Sequence, residues 1–309
     1  MTGSAEVLAI VGPTAVGKSA LGVAVAGQVG GEVVSADSMQ AYVGMDIGTA
    51  TPSALERAGI AHHLLDTWPA SHALSVAEFQ QRAREAIDEI RGRGPLAVLV
   101  GGSGLYVSAI LDNLSFPGTD PAVRASLEGQ LRDLGPLALH QRLTDVDPVA
   151  AAAILPTNGR RIVRALEVIE LTGGPFNATL PEPVDRYRTI RVGLRIPRPE
   201  LDARIEARVN RMWEQGFVDE VRRLVADETP MSVTAARALG YQQVLAYLGH
   251  ECTESQARQA TIDATRRFAR RQQRWFGRDA RIHWVDYEAE DLVGQVLGLL
   301  AGKESGTAQ

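Results

Sequence analysis

Apolar residues follow two rhythms along the chain. Short runs at Val7–Val11, Val33–Ser35, His62–Asp66, Leu96–Val100, Thr189–Leu194 and Ile282–Val285 have the length and bounding residues of buried strands. Between them, apolar positions recur three and four apart, as in Ser75–Arg91, where Val76, Phe79, Ala83, Ile87 and Ile90 share one helical face. Strands alternating with helices predict a parallel α/β sheet with helices on both faces. The alternation lapses from about Pro117 to Pro183. There Leu131, Leu134 and Leu137, then Ile162, Ala165, Leu166 and Ile169, keep helical spacing and no strand pattern appears. This reads as a helical insertion over 117–183, set into a core made of 1–116 and 184–302. After the Thr189–Leu194 strand, helices are predicted over Pro199–Gln215, Val218–Ala226, Thr234–Leu248 and Glu254–Phe276, with a disordered tail at 303–309.

The first strand runs straight into Gly12-Pro-Thr-Ala-Val-Gly17-Lys18-Ser19 and then a helical pattern. Strand, glycine-rich loop and helix in that order form a phosphate cradle. Its glycines let successive N–H groups face one concavity, and the helix N-terminus adds partial positive charge. Lys18 offers a mobile cation, and the Ser19 hydroxyl can ligate Mg²⁺. The motif alone does not say whose phosphates are held.

Composition narrows the classes. The chain has 309 residues, 45% hydrophobic and 22% charged, as an ordinary globular enzyme would. A net charge of −5 argues against a generic nucleic-acid binder, so any contact with RNA must use local basic patches. The single cysteine, Cys252, leaves no internal disulfide and no cysteine-rich metal site. No signal segment or membrane-spanning window is evident, and a cytoplasmic monomer is expected.

Nucleotide-hydrolysing P-loop enzymes place a carboxylate at the end of a neighbouring strand. Here the PLAVLV strand ends in Gly101-Gly102-Ser103-Gly104, while VVSAD ends in Asp37. In a parallel sheet both ends face the crevice that the cradle faces. Asp37 could therefore act as a base and Ser103 could orient a nucleophile, with Lys18 stabilising a departing diphosphate. That combination suits alkyl transfer from an allylic diphosphate to a weakly nucleophilic amine such as adenine N6. A P-loop kinase or NTPase, a prenyltransferase acting on free adenine nucleotides, and a non-catalytic RNA-binding module stand as alternatives.

Taken in order, GPTAVGKS, DSMQAYVGMDIGTATP, HHLLD, GGSGLY, RRIVRALEV, ALGYQQ and RRFARRQQRWF resemble the tRNA dimethylallyltransferases over residues 7 to 286. The resemblance implies transfer of a dimethylallyl group from dimethylallyl diphosphate, with Mg²⁺, to N6 of the adenosine just 3′ of the anticodon. It assigns the diphosphate to Gly12, Thr14, Ala15, Val16, Gly17, Lys18, Ser19 and Arg237. It makes Asp37 the general base and Ser103 a partner of the amine, with Lys18 beside the leaving group. Asp37, Ser38, Met39, Gln40 and Ser103 match a tRNA-lining segment. Arg124, Arg160, Arg161 and Arg164 match contacts to the anticodon stem-loop. The single cysteine rules out the zinc finger that eukaryotic relatives carry.

Three features lie outside that set. Arg266, Arg270 and Arg274 are spaced to form one cationic stripe, with Arg267, Arg271 and Arg278 nearby, as phosphate contact requires. His62 and His63 are adjacent on a strand and point to opposite faces, so they do not easily share a metal, and structural or tRNA-proximal roles are expected. Tyr42 and Tyr106, as lone aromatics, read as packing.

Overall fold

The computed structural model describes residues 5–177 and 182–302; the tail expected to be disordered lies outside them. Elements follow in the order β1 (Val7–Val11), α1 (Lys18–Val29), β2 (Glu32–Ser35), β3 (His62–His63), α2 (Val76–Arg93), β4 (Ala97–Gly101) and α3 (Gly104–Leu111). Next come α4 (Pro121–Val146), α5 (Pro148–Ala152) and α6 (Gly159–Thr172). The chain continues through β5 (Thr189–Arg195), α7 (Arg198–Glu214), α8 (Phe217–Ala226), α9 (Val233–Ala236), α10 (Tyr241–Leu248), α11 (Glu254–Phe276), β6 (Ile282–Asp286) and α12 (Leu292–Leu300).

The chain forms two compact units, one of residues 1–112 and 185–309, the other Asn113–Val184. The first contains a six-stranded parallel sheet in the order β3-β2-β4-β1-β5-β6. Because side chains alternate along a strand, each strand feeds two cores. Val7, Ala9 and Val11 of β1, with Ala97 and Leu99 of β4, pack with Phe79, Ala83 and Ile87 of α2 on one face. Leu8, Ile10, Val98 and Val100 pack with Leu21 and Val25 of α1, Leu201 and Ile205 of α7 and Val296 of α12 on the other. Helices on both faces explain why β1 and β4 are apolar throughout.

The register sets the site. Val11 pairs with Gly101, and Ser35 with Val100. The turns carrying the cradle, Asp37 and Ser103 therefore leave the sheet nearly level with one another, at the carboxyl edge.

Most boundaries fall within two residues of the sequence expectation, and three depart further. The strand expected over His62–Asp66 stops at His63, because Leu64 (φ 64°) and Asp66 (φ 48°) adopt left-handed backbone. The helix expected over Thr234–Leu248 is broken between Ala236 and Tyr241, and Gly240, at a φ of 91°, caps the second piece. The second unit begins at Asn113 and ends at Val184, four residues before Pro117 and one after Pro183. Among its described residues the regular elements are all helices, with Leu127, Leu139, Leu143, Ile154, Ile162 and Leu166 at its centre. Its α4 bends at Gly135, directly before Pro136.

Candidate active site

The loop after β1 has the alternating backbone that a phosphate cradle needs. Gly12 (φ 141°), Ala15 (φ 65°) and Gly17 (φ 107°) all lie at positive φ, turning their peptides inward ahead of α1. A left-handed alanine is costly, of order 1–3 kcal/mol, and such backbone strain clusters where function holds it. Buried Val16 anchors the loop to the core beneath, and Ser19 stands exposed in the first turn of α1. Thr14 is already engaged: its N–H donates to Gln272 Oε1 at 2.9 Å, and its hydroxyl accepts from Arg208 at 3.1 Å.

Lys18 donates to the Pro13 carbonyl at 2.7 Å. Although the residue as a whole is half-exposed, protein atoms surround its ammonium. Burial, then the charge of Arg208, pushes the ammonium down to about 7, and Asp37 partly opposes them. Arg208 is likewise depressed by burial and held up by Asp37. Lys18, Arg208 and Asp37 thus sense one another's charge, two cations to one carboxylate. An anionic ligand would relieve the repulsion between the cations.

Asp37, whose charge both cations sense, lies half-buried in a tight turn, its Oδ1 accepting from Met39 N–H at 3.0 Å. Ser35 Oγ accepts from Asp37 N–H at 3.2 Å and donates to Gln40 Oε1 at 3.0 Å. Gln40 in turn donates to the carbonyls of Thr49 and Ala50. Ser38 is buried, and Met39 packs against the core. Ser103 occupies the N-cap of α3 without capping it, which leaves its hydroxyl for another partner. Arg237 stands exposed at the end of α9.

Arg208, Gln272 and Glu220 are the residues that sequence reasoning missed. Glu220, 2% exposed, accepts from the amides of Asp46, Ile47 and Gly48 and from the Tyr241 hydroxyl at 2.6 Å. It thereby fixes the loop whose Thr49 carbonyl accepts from both Gln40 and Arg208. Gly48 lets that loop lie flat on Phe217 and Tyr241, since a Cβ there would come within 2.3 Å and 2.5 Å of their rings.

In the helical unit, Arg124 and Arg164 both bind the fully buried Glu167, which Thr119 also supports at 2.6 Å. Arg164 further donates to the carbonyls of Pro117 and Gly118. Arg160 and Arg161 are exposed. In α11, Arg266 pairs with Glu206 at 2.7 Å and leaves the expected stripe, whereas Arg267, Arg270, Arg271, Arg274 and Arg278 face solvent. His63 binds Glu32, His62 faces its own backbone at Ile60, and Tyr42 is buried with its hydroxyl on His72 O. Tyr106 packs edge-on against Phe79. Among the described residues no group of three or more His, Cys, Asp or Glu could hold a metal, and no helix is long and apolar enough to cross a membrane.

Known proteins resemble this chain in sequence and fold. A family model described as IPP transferase matches residues 40–279. A tRNA dimethylallyltransferase from Thermobifida fusca is 58% identical over 95% of this chain and 94% of its own length. Another from Streptomyces avermitilis is 60% identical over 93% and 92%. The crystal structure of the full-length tRNA isopentenylpyrophosphate transferase from Bacillus halodurans superposes with a TM-score of 0.72 at 40% identity, covering 96% of both chains. The parallel sheet, the cradle on β1 and these matches along nearly the whole length establish that the chain belongs to the IPP transferase family.

Proposed function

We infer that the protein transfers a dimethylallyl group from dimethylallyl diphosphate to N6 of the adenosine 3′-adjacent to the anticodon of tRNA. The products are N6-(dimethylallyl)adenosine and diphosphate. The observation that carries this reading is the position of Asp37 and Ser103 level with the phosphate cradle, while β4 ends in glycine where a hydrolase would need a carboxylate. A P-loop kinase or NTPase is therefore not favoured, and the tRNA enzymes among the relatives speak against a free-nucleotide acceptor.

The diphosphate sits on the amides of Ala15 to Ser19, between Lys18 and Arg208. As the allylic C–O bond breaks, both cations and the α1 N-terminus stabilise the charge that the leaving group gains. Ser103 Oγ holds the amine in line, and N6 bonds to the allylic carbon as Asp37 removes its proton. An enzyme working on one base must take it from its stack, so the adenosine is flipped into the crevice. The anticodon stem-loop is gripped by the helical unit through Arg124, Arg160, Arg161 and Arg164, and Asp37 to Gln40 line its path. Arg237 assists at the diphosphate from the exposed end of α9.

Mg²⁺ fits as an ion that arrives with the donor. Ser19 is the one hydroxyl on the first turn of α1, and Mg²⁺ commonly keeps several waters and binds through substrate phosphates. It would supply charge neutralisation at the departing diphosphate. We place the enzyme in the cytoplasm as a monomer. The deciding assay incubates purified protein with labelled dimethylallyl diphosphate, Mg²⁺ and either unmodified tRNA or AMP. Label in tRNA alone is expected; label in AMP, or in neither, would overturn the assignment.

A further inference from the structure

Helix α11 sends one amide into the gap between two turns that this reaction needs at fixed spacing. Gln272 is 4% exposed. Its Oε1 accepts from Thr14 N–H at 2.9 Å, and its Nε2 donates to the Gly102 carbonyl at 2.8 Å. Thr14 belongs to the cradle, and Gly102 immediately precedes Ser103. Each half of the amide therefore serves a different substrate's turn. The packing leaves little slack: a Cβ on Gly102 would lie 2.4 Å from Gln272 Nε2, 3.2 Å from the Gly12 carbonyl oxygen and 3.3 Å from Lys18 Nζ. The ladder between β1 and β4 ends at Val11 and Gly101. Past that pair, the Gln272 amide supplies the tie between the turns.

We propose that Gln272 is a positioning residue for alkyl transfer, setting the distance between the diphosphate cradle and the Ser103 turn and hence between the allylic carbon and the acceptor amine. The proposal rests on the reaction assigned above. A neutral amide is the side chain that can accept from one backbone and donate to the other at once. Gln272→Glu keeps an acceptor for Thr14 but sets a carboxylate oxygen against the Gly102 carbonyl. Gln272→Met keeps the length and loses both bonds. In Gln272→Met each turn can still hold its own substrate, whereas the Gln272→Glu carboxylate also repels the diphosphate. The in-line approach of the reacting atoms is what suffers, and a displacement of about 1 Å costs roughly 10²-fold in rate.

The test uses the full-length protein with unmodified tRNA, labelled dimethylallyl diphosphate and Mg²⁺, comparing wild type with Gln272→Met and Gln272→Glu. Melting temperatures and calorimetric binding of inorganic diphosphate accompany the kinetics. In Gln272→Met kcat should fall by about 10- to 10²-fold, while KM for donor and tRNA and the diphosphate Kd stay within about threefold; Gln272→Glu should lose kcat as well and, with its carboxylate beside the cradle, also weaken diphosphate binding. Unchanged kcat would overturn the proposal. So would a loss confined to KM or to diphosphate affinity, which would make Gln272 part of the cradle alone. If neither variant folds at the assay temperature, Gln272 is a stability residue and the proposal falls. Wild-type protein that fails to label tRNA would instead overturn the reaction itself, while the diphosphate titrations would still report on the cradle.

Discussion

Donor binding should draw a proton from solution, and Lys18 sets how much. Burial and Arg208 hold its ammonium at about 7, with Asp37 only partly opposing. A bound diphosphate adds negative charge that favours the protonated form and returns the group toward its ordinary range. At pH 8, a lysine titrating at about 7 is about one-tenth charged before binding and almost wholly charged after it, so uptake approaches ~0.9 proton per site. The donor's terminal phosphate, with a pKa near ~6, is already ionised there. Calorimetric titration of dimethylallyl diphosphate with Mg²⁺, in buffers of different ionisation enthalpy, reads the uptake as a slope. Omitting tRNA prevents turnover. Lys18→Met subtracts any proton contributed by other groups. A zero slope at pH 8, or the same slope in the variant, would refute the reasoning. The folded pKa lies below the unfolded one, so the ligand-free protein should also lose stability as pH falls from the ordinary lysine value of 10.5 to about 7, with no further loss from Lys18 below that.

Asp37→Asn should reduce alkyl transfer by at least ~10²-fold with tRNA affinity retained, and near-normal turnover would remove Asp37 from proton transfer. Tyr241→Phe deletes one of four bonds to Glu220 and should cost about 1 kcal/mol, whereas Glu220→Ala leaves three loop amides unpaired and should cost ~3 kcal/mol or more, ranked by urea midpoints. Gly48→Ala meets two fully buried rings and should cost about 1–3 kcal/mol while weakening donor use through the displaced Thr49 carbonyl; a neutral outcome would contradict the packing. Arg124→Ala should lower the thermal midpoint along with RNA affinity, because it withdraws a cation from buried Glu167, while Arg160→Ala should lower RNA affinity alone, by filter binding.

The sheet, the cradle and the turns bearing Asp37 and Ser103 could be read from the sequence because each depends on local pattern. Strand runs and loop glycines announce themselves within a few residues. Arg208, Gln272 and Glu220 are different, since their partners lie far away in the chain: Arg208 meets Thr14 across 194 residues and Gln272 meets it across 258. One local signal existed for all three. Arg208 continues the buried stripe of Leu201, Ile205 and Met212; Gln272 lies between Ala269 and Phe276; Glu220 sits among Phe217, Val218 and Val221. A polar side chain on the apolar face of a helix must find a buried partner, and the sequence shows the demand without naming the partner. Arg266 failed as a stripe member for the converse reason: its neighbour on the adjacent helix, Glu206, is invisible to spacing along α11.

The chain leaves the sheet-bearing unit after Asp112 and returns to it at Asp185, and the leaving and returning segments pair with each other. Asp112 bridges Asp185, Arg186 N–H donates to the Leu111 carbonyl at 2.8 Å, and just beyond, Asn113 N–H donates to the Val184 carbonyl at 2.7 Å. Because the two chain ends meet there whatever lies between, the intervening length is nearly free to vary: even for an unstructured segment, doubling the length would add only about 0.6 kcal/mol of closure entropy, and an insertion with its own core supplies its own stability. The helical insertion can thus be resized, or grafted from one relative to another, without breaking the pairing that closes the sheet-bearing unit.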